Sequence, residues 1–243
     1  MRRQAAALGS LIVVGVALAV PSASTALSVP CCPHTVANAP CSTIVYNTSE
    51  GTPSAGLRSL LAPLRRAQTP ADMPPRRDPE SSDISFGEEF AAGEGIRTRF
   101  IRRAAVIHGK SLYLVPAARA CYNGHPVREA MFLFVVGLHE GSTSGPATAV
   151  SIKRRGIQGS WGWRTEGNAG MEEVPGVVPN GVAKVTLLYP RGYGFPASVT
   201  VAVVNNAYDA FVPYSTQTFE YPEPPKKILW RSRKGKVLKA LPF

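Results

Sequence analysis

Two asparagines, Asn205-Asn206, stand between two alternating apolar runs, and this pairing constrains the fold more tightly than anything else in the chain. Residues that tolerate left-handed backbone, set between strand-like segments, read as a two-residue primed turn. The turn fixes a register. Val204 faces Ala207, Val203 pairs with Tyr208, Val201 with Ala210 and Val199 with Val212, so one face of the expected hairpin is apolar throughout. The other face is mixed, pairing Ala202 with Asp209 and Thr200 with Phe211. Upstream, Pro179-Asn180-Gly181 launches a further alternation, with Ala183, Val185, Leu187 and Tyr189 inward against Lys184 and Thr186, although Leu188 breaks the rule. Each fully buried Val, Leu or Tyr contributes roughly 1.5 to 3 kcal/mol, so this meander is expected at the heart of a core. It carries almost no chemistry.

The same punctuation continues on both sides. Strand-like segments at 98–107, 111–115, 131–138, 147–153, 183–189, 199–204, 208–214, 228–231 and 237–238 are separated by Gly, Pro and Asn, with Gly235 at the tip of a last hairpin. Many short strands with turn signals between them predict a mainly β fold, an antiparallel β meander or sandwich-like domain over residues 84–243. Residues 27–83 are rich in Pro, Ser, Thr and Ala and read as an arm. One short helix is expected there, at 55–66, because Leu57, Leu60, Leu61 and Leu64 recur at helical spacing after Ser54, with Arg65 and Arg66 at the end that favours cations. Its leucine stripe reads as a docking face onto the domain or, alternatively, as a protein-binding surface.

At the N-terminus, Arg2 and Arg3 precede an apolar run at 5–20 and then small residues, the pattern of a secretory signal over 1–26. A secreted or cell-surface location is expected, with no membrane span after signal removal. Losing Arg2 and Arg3 takes the formal charge from +11 to +9, still strongly basic, so the mature chain is expected to dwell on polyanions. Cys31, Cys32, Cys41 and Cys121 all follow the signal, and an even count in an exported chain favours disulfides. A bridge between adjacent Cys31 and Cys32 strains the backbone, which leaves each with Cys41 or Cys121 in either order. A metal knuckle from Cys31, Cys32, His34 and Cys41 lacks a second Cys-x-x-Cys or a partner histidine at ligand spacing.

Candidates for chemistry are sparse. His139-Glu140 follows a strand and leads into Gly141-Ser142-Thr143-Ser144-Gly145, which allows a small hydrolase using that loop with His108 or His125. The nucleophile elbow, however, needs a serine where Thr143 stands, and a hydrophilic hairpin loop accounts for the same residues. No phosphate-cradling glycine loop follows a strand, and no cofactor or specific nucleic-acid recognition is expected. Trp161, Trp163 and Arg164 offer either a stacking platform for a sugar ring or ordinary packing on one strand face. Two segments concentrate cations without acids: 97–110, with five, and 226–239, with seven. In the second, Lys226, Lys227, Arg231, Arg233, Lys234, Lys236 and Lys239 alternate with Ile228, Trp230, Val237 and Leu238. A hairpin that buried the apolar members would present a basic ribbon to an anionic cell-surface polymer. The competing reading is that lysines on a terminal edge strand guard against edge-to-edge pairing.

The run Val178-Pro179-Asn180-Gly181-Val182-Ala183-Lys184-Val185-Thr186, followed by Val204-Asn205-Asn206, resembles a motif of exported proteins of actinobacterial type. The segments 60–72 ("LLAPLRRAQTPAD"), 110–117 ("KSLYLVPA") before Cys121, and 228–237 ("ILWRSRKGKV") are similar to further parts of that group. Asn180 stands where the group has aspartate, and no cysteine follows Cys121 as a partner. The resemblance implies a shared framework and carries no activity and no functional residue with it. The expectation is a non-catalytic extracellular interaction protein.

Overall fold

The computed structural model describes residues 51–75, 96–122, 125–137, 141–159, 162–166, 169–191, 194–215 and 223–243. The signal-like segment, Cys31, Cys32, Cys41, His139, Glu140 and Trp161 lie outside them. The fold is mainly β, with twelve strands in three antiparallel sheets and few helices among the described residues. Strands β1 (Arg102–Ile107), β2 (Lys110–Tyr122), β3 (His125–Val136) and β4 (Gly141–Ala147) form the first sheet in chain order. In the second, the central strand β7 (Ala169–Val177) pairs with β10 (Ala207–Ser215) on one side. Along its other edge it pairs first with β5 (Ile157–Gln158) and then with β6 (Gly162–Glu166). The third runs β12 (Val237–Pro242), β11 (Lys227–Arg231), β8 (Lys184–Leu188), β9 (Ser198–Ala202).

Inner faces of the second and third sheets meet. Val174, Tyr208, Ala210 and Val212 pack against Val185, Leu187, Ile228 and Trp230, with Val199 and Val201 partly buried at the margin. A second core lies on one face of the first sheet, where Leu112, Leu114, Met131, Leu133 and Val135 bury Leu57, Leu61 and Leu64 of the arm. The predicted helix breaks in two: α1 (Ala55–Leu60), capped by the Ser54 hydroxyl on the Leu57 N–H, and a 3₁₀ turn at Ala62–Arg65. Pro63 has no N–H to donate and its ring crowds the preceding turn, which ends α1. The stripe docks onto its own domain, so the apolar face that a protein-binding reading requires is already covered.

The Asn205-Asn206 turn forms, and the expected hairpin does not. Both residues take left-handed backbone (φ 46° and 72°), and Val204 and Ala207 exchange hydrogen bonds of 2.8 and 2.9 Å. Beyond that single bridge the strands part: β9 pairs with β8 and β10 pairs with β7. The turn is therefore a corner between two packed sheets. β10 is buried at six of its nine residues, whereas β9 is alternately half-buried and exposed. An apolar face on each strand is satisfied equally by facing the partner across a sandwich or by lying beside it.

Two further expectations fail for local reasons. Segment 147–153 is not a strand; α2 (Ala149–Arg155) occupies it, started by the Thr148 side chain on the Ser151 N–H at 3.2 Å and ended at Gly156 (φ 72°). Only Ile152 of its residues is buried, and Lys153, Arg154 and Arg155 sit in the last turn, where the helix dipole favours cations. Strand β7 went unpredicted because Gly170, Glu172, Glu173, Pro175 and Gly176 read as a loop. The register explains the glycines. Gly176 lies opposite Tyr208 and Gly170 opposite Tyr214, and any β-carbon there would fall within the tyrosine ring.

Candidate anion-binding surface

The two cation-rich segments differ. In the first, three of the five cations turn inward and are consumed by the fold, while Arg99 stays exposed and Arg103 half-buried. Arg97 holds Glu129 through two hydrogen bonds of 2.5 and 3.3 Å, and Arg102, only 3% exposed, donates to the carbonyls of Arg66, Arg99 and Ile101. Burial lowers the affinity of the Arg102 guanidinium for its proton, against the pull of Asp72. Lys110 is ion-paired to Glu173.

In the second segment the hairpin forms with Gly235 (φ 81°) at its turn, closed by Ser232 and Lys236. Ile228 and Trp230 are buried as expected, while Val237 and Leu238 stay about half exposed. The reason is geometric: a register shift between Trp230 and Arg231 interrupts the pairing, and β12 is the edge of its sheet, so its outer residues have no strand to cover them. Two of the seven cations are partly engaged by the sheet. Arg231 donates to Thr186 Oγ1 at 2.9 Å and to the Gly235 carbonyl, and Lys239 lies over the Trp230 ring and reaches the Lys153 carbonyl at 3.3 Å. Lys226, Lys227, Arg233, Lys234 and Lys236 are exposed. Among the described residues none of these five makes an ion pair. Lys184 stands opposite Arg231 on β8 and adds an exposed cation beside them.

A titratable cluster lies elsewhere among the described residues. Asp209 on β10, Glu173 on β7 and Lys110 at the start of β2 come together under Phe211, whose ring meets His108 at 4.4 Å and the Lys110 ammonium at 5.3 Å. Asp209 is 2% exposed, and among the described residues its oxygens face the Glu173 carboxylate with no donor from another group in reach. Burial, reinforced by the charge of Glu173 and opposed by Lys110, pushes its carboxyl up to about 7. A closed site of this kind cannot admit a substrate to the carboxyl, which argues for a structural role despite the shifted proton affinity.

Of the remaining sequence candidates, the two described histidines do not gather. His108 lies in the turn between β1 and β2, while His125 pairs with Tyr122 at the far end of β2. Thirteen residues of extended strand put about 40 Å between those ends. Val136 and Gly141 pair with each other near Ser111 at the His108 end, and His139 and Glu140, between them in the sequence, lie outside the described residues. Cys121 lies on β2 opposite Pro126. Trp163 on β6 is 42% exposed. Among the described residues no group of His, Cys, Asp and Glu is arranged to hold a metal ion, and no helix is long and apolar enough to cross a membrane.

A hydrogen-bonded node accounts for the motif that the sequence singled out. Asn206 Oδ1 accepts from the Ala62 N–H at 2.8 Å, and its Nδ2 donates to the carbonyls of Val178 (2.9 Å) and Leu60 (3.3 Å) and to Asn180 Oδ1 (3.1 Å). Asn180 holds Ser59 and Leu60, and Asn205 holds the Ala104 carbonyl. The Pro-Asn-Gly turn and the Asn-Asn corner together fasten the arm. No family model matches the chain, and no curated protein or solved structure matches it.

Proposed function

We propose that the protein is a non-catalytic interaction module of the cell exterior, which holds weakly to anionic polymers through the β11–β12 edge. The observation that carries this reading is the contrast between the two basic segments: Arg97, Arg102 and Lys110 are spent on internal partners, whereas Lys226, Lys227, Arg233, Lys234 and Lys236 are exposed on or beside an edge hairpin. Cations without acids beside them attract phosphates, sulfates or carboxylates without geometric selectivity, and salt weakens the attraction. The signal-like N-terminus and the basic charge support export to a surface rich in such polymers. Retention on an anionic polysaccharide resin tests it. Charge reversal at Lys226, Arg233 and Lys236 abolishes retention at low salt on this account; unchanged retention removes the edge from consideration.

A further inference from the structure

The topology brings a second feature to the same side of the sandwich. The Asn205-Asn206 corner joins β9 to β10, so the opposite edges of the two sheets, β12 in one and the β5–β6 line in the other, lie together away from it. The contact of Lys239 with Lys153 on α2 agrees with that placement. Beside the β5 end of that line, between β4 and the segment 155–159, is a groove of about 460 Å³, lined among others by Ser144, Pro146, Arg155, Gln158 and Gly159. Its size is that of a small-ligand site. Two glycines form part of its wall, and the packing requires them: a β-carbon at Gly156 would collide with the Val177 carbonyl, and one at Gly159 with Pro175. The wall is therefore backbone without side chains, half-buried at Gly159 and buried at Gly156, next to a hydroxyl, an amide and a guanidinium.

Register extends the site beyond the groove. Gln158 pairs with Gly176 and Trp163 with Glu172, four residues apart on β7, so both side chains leave the same face of the sheet edge. Their separation along the strand is about 13 Å, the length of a short oligosaccharide segment. Arg155 is exposed at one end of this line and Trp163 is half exposed at the other.

We infer that this edge is a binding site for an acidic oligosaccharide, with an anionic sugar unit on Arg155, its hydroxyls on Gln158 and the groove backbone, and a neighbouring sugar ring against Trp163. A polymer bound there continues onto the cations of the β11–β12 hairpin. The inference deepens the polymer-binding reading and rests on it for the class of partner, but the two are separable. A planar guanidinium holds a carboxylate or phosphate through two parallel bonds, which gives the groove a selectivity that the open lysine edge lacks.

The test is a titration of the intact protein with a galacturonic acid tetramer, followed by amide chemical shifts and tryptophan fluorescence. The neutral galactose tetramer and inorganic phosphate are the other probes. The expected result is binding of the acidic tetramer with amide shifts at Gly156 and Gly159, weakened roughly tenfold by Arg155→Ala. Trp163→Ala weakens it comparably, and reversal of Lys226, Arg233 and Lys236 leaves the tetramer affinity unchanged while polymer retention falls. Arg155→Lys, which keeps the charge and loses the fork, controls for folding and recovers only part of the affinity. Equal binding of the neutral tetramer, equal binding of phosphate alone, or tetramer binding indifferent to Arg155 and Trp163 overturns the site. If the triple reversal spares polymer retention while the tetramer still depends on Arg155, the edge reading fails and the groove stands.

Discussion

Truncating Asn206 tests whether the arm is fastened by that one side chain. Replacement by glycine preserves the left-handed backbone (φ 72°) and deletes only the amide. The Ala62 N–H then loses its acceptor, and the Val178 carbonyl, on a residue 1% exposed, loses its donor. Leu60 keeps the bond from the Asn180 N–H at 2.8 Å and is little affected. Two orphaned groups at roughly 1 to 3 kcal/mol each, one of them only partly buried, give an expected loss of about 2 to 4 kcal/mol. Alanine removes the same bonds and adds about 1 kcal/mol of left-handed strain. Urea unfolding measures the loss, and hydrogen exchange at the Ala62 amide locates it. If glycine costs under about 1 kcal/mol and Ala62 exchange is unchanged, the node does not fasten the arm.

Asp209→Asn has a pH signature. Because burial lifts the folded carboxyl to about 7, above its ordinary value of 3.8, the native state binds more protons than the unfolded chain between those values. Stability is thus lost as pH rises from about 4 to 7, so the stability of Asp209→Asn relative to the parent grows by a few kcal/mol across that window; a flat difference from pH 4 to 8 refutes it. Asp72 behaves in the opposite sense. Its burial alone would raise the carboxyl, but bonds from Arg66, Thr69 and the Arg103 N–H outweigh that and hold it below the usual range. Asp72→Asn therefore costs about 2 kcal/mol at neutral pH, a difference that shrinks as pH falls below about 4. A pH-independent difference between the two chains in thermal melts contradicts that assignment.

Period-two alternation identified β8 to β11 because those strands are apolar on the face that meets the sandwich core, whereas Val237 and Leu238 of β12 stay half exposed, and asparagine-glycine chemistry located the turns. Pairing was another matter. Val199 and Val201 face the core from the third sheet while Ala210 and Val212 face it from the second, and a sequence pattern reports which face is buried without reporting what covers it. β7 was hidden for the converse reason: it is stabilised by tyrosines lying over its glycines, so its own residues carry no strand signature. Of the candidate surface, the cations of 226–239 were legible as a run. Their contrast with 97–110 was not, because the acids that neutralise Arg97 and Lys110, Glu129 and Glu173, lie far away in the chain.

If the β11–β12 edge carries the affinity for an anionic partner, the dependence of that affinity on salt tests it most directly. Each cation engaged with a densely charged polyanion contributes slightly under one to the slope of log affinity against log salt. Titration of the parent at several salt concentrations is expected to show a steep negative slope, and reversal of Lys226, Arg233 and Lys236 is expected to lower its magnitude by roughly two to three. A slope that the reversal leaves unchanged contradicts the account, because the polymer would then be held by some other part of the chain.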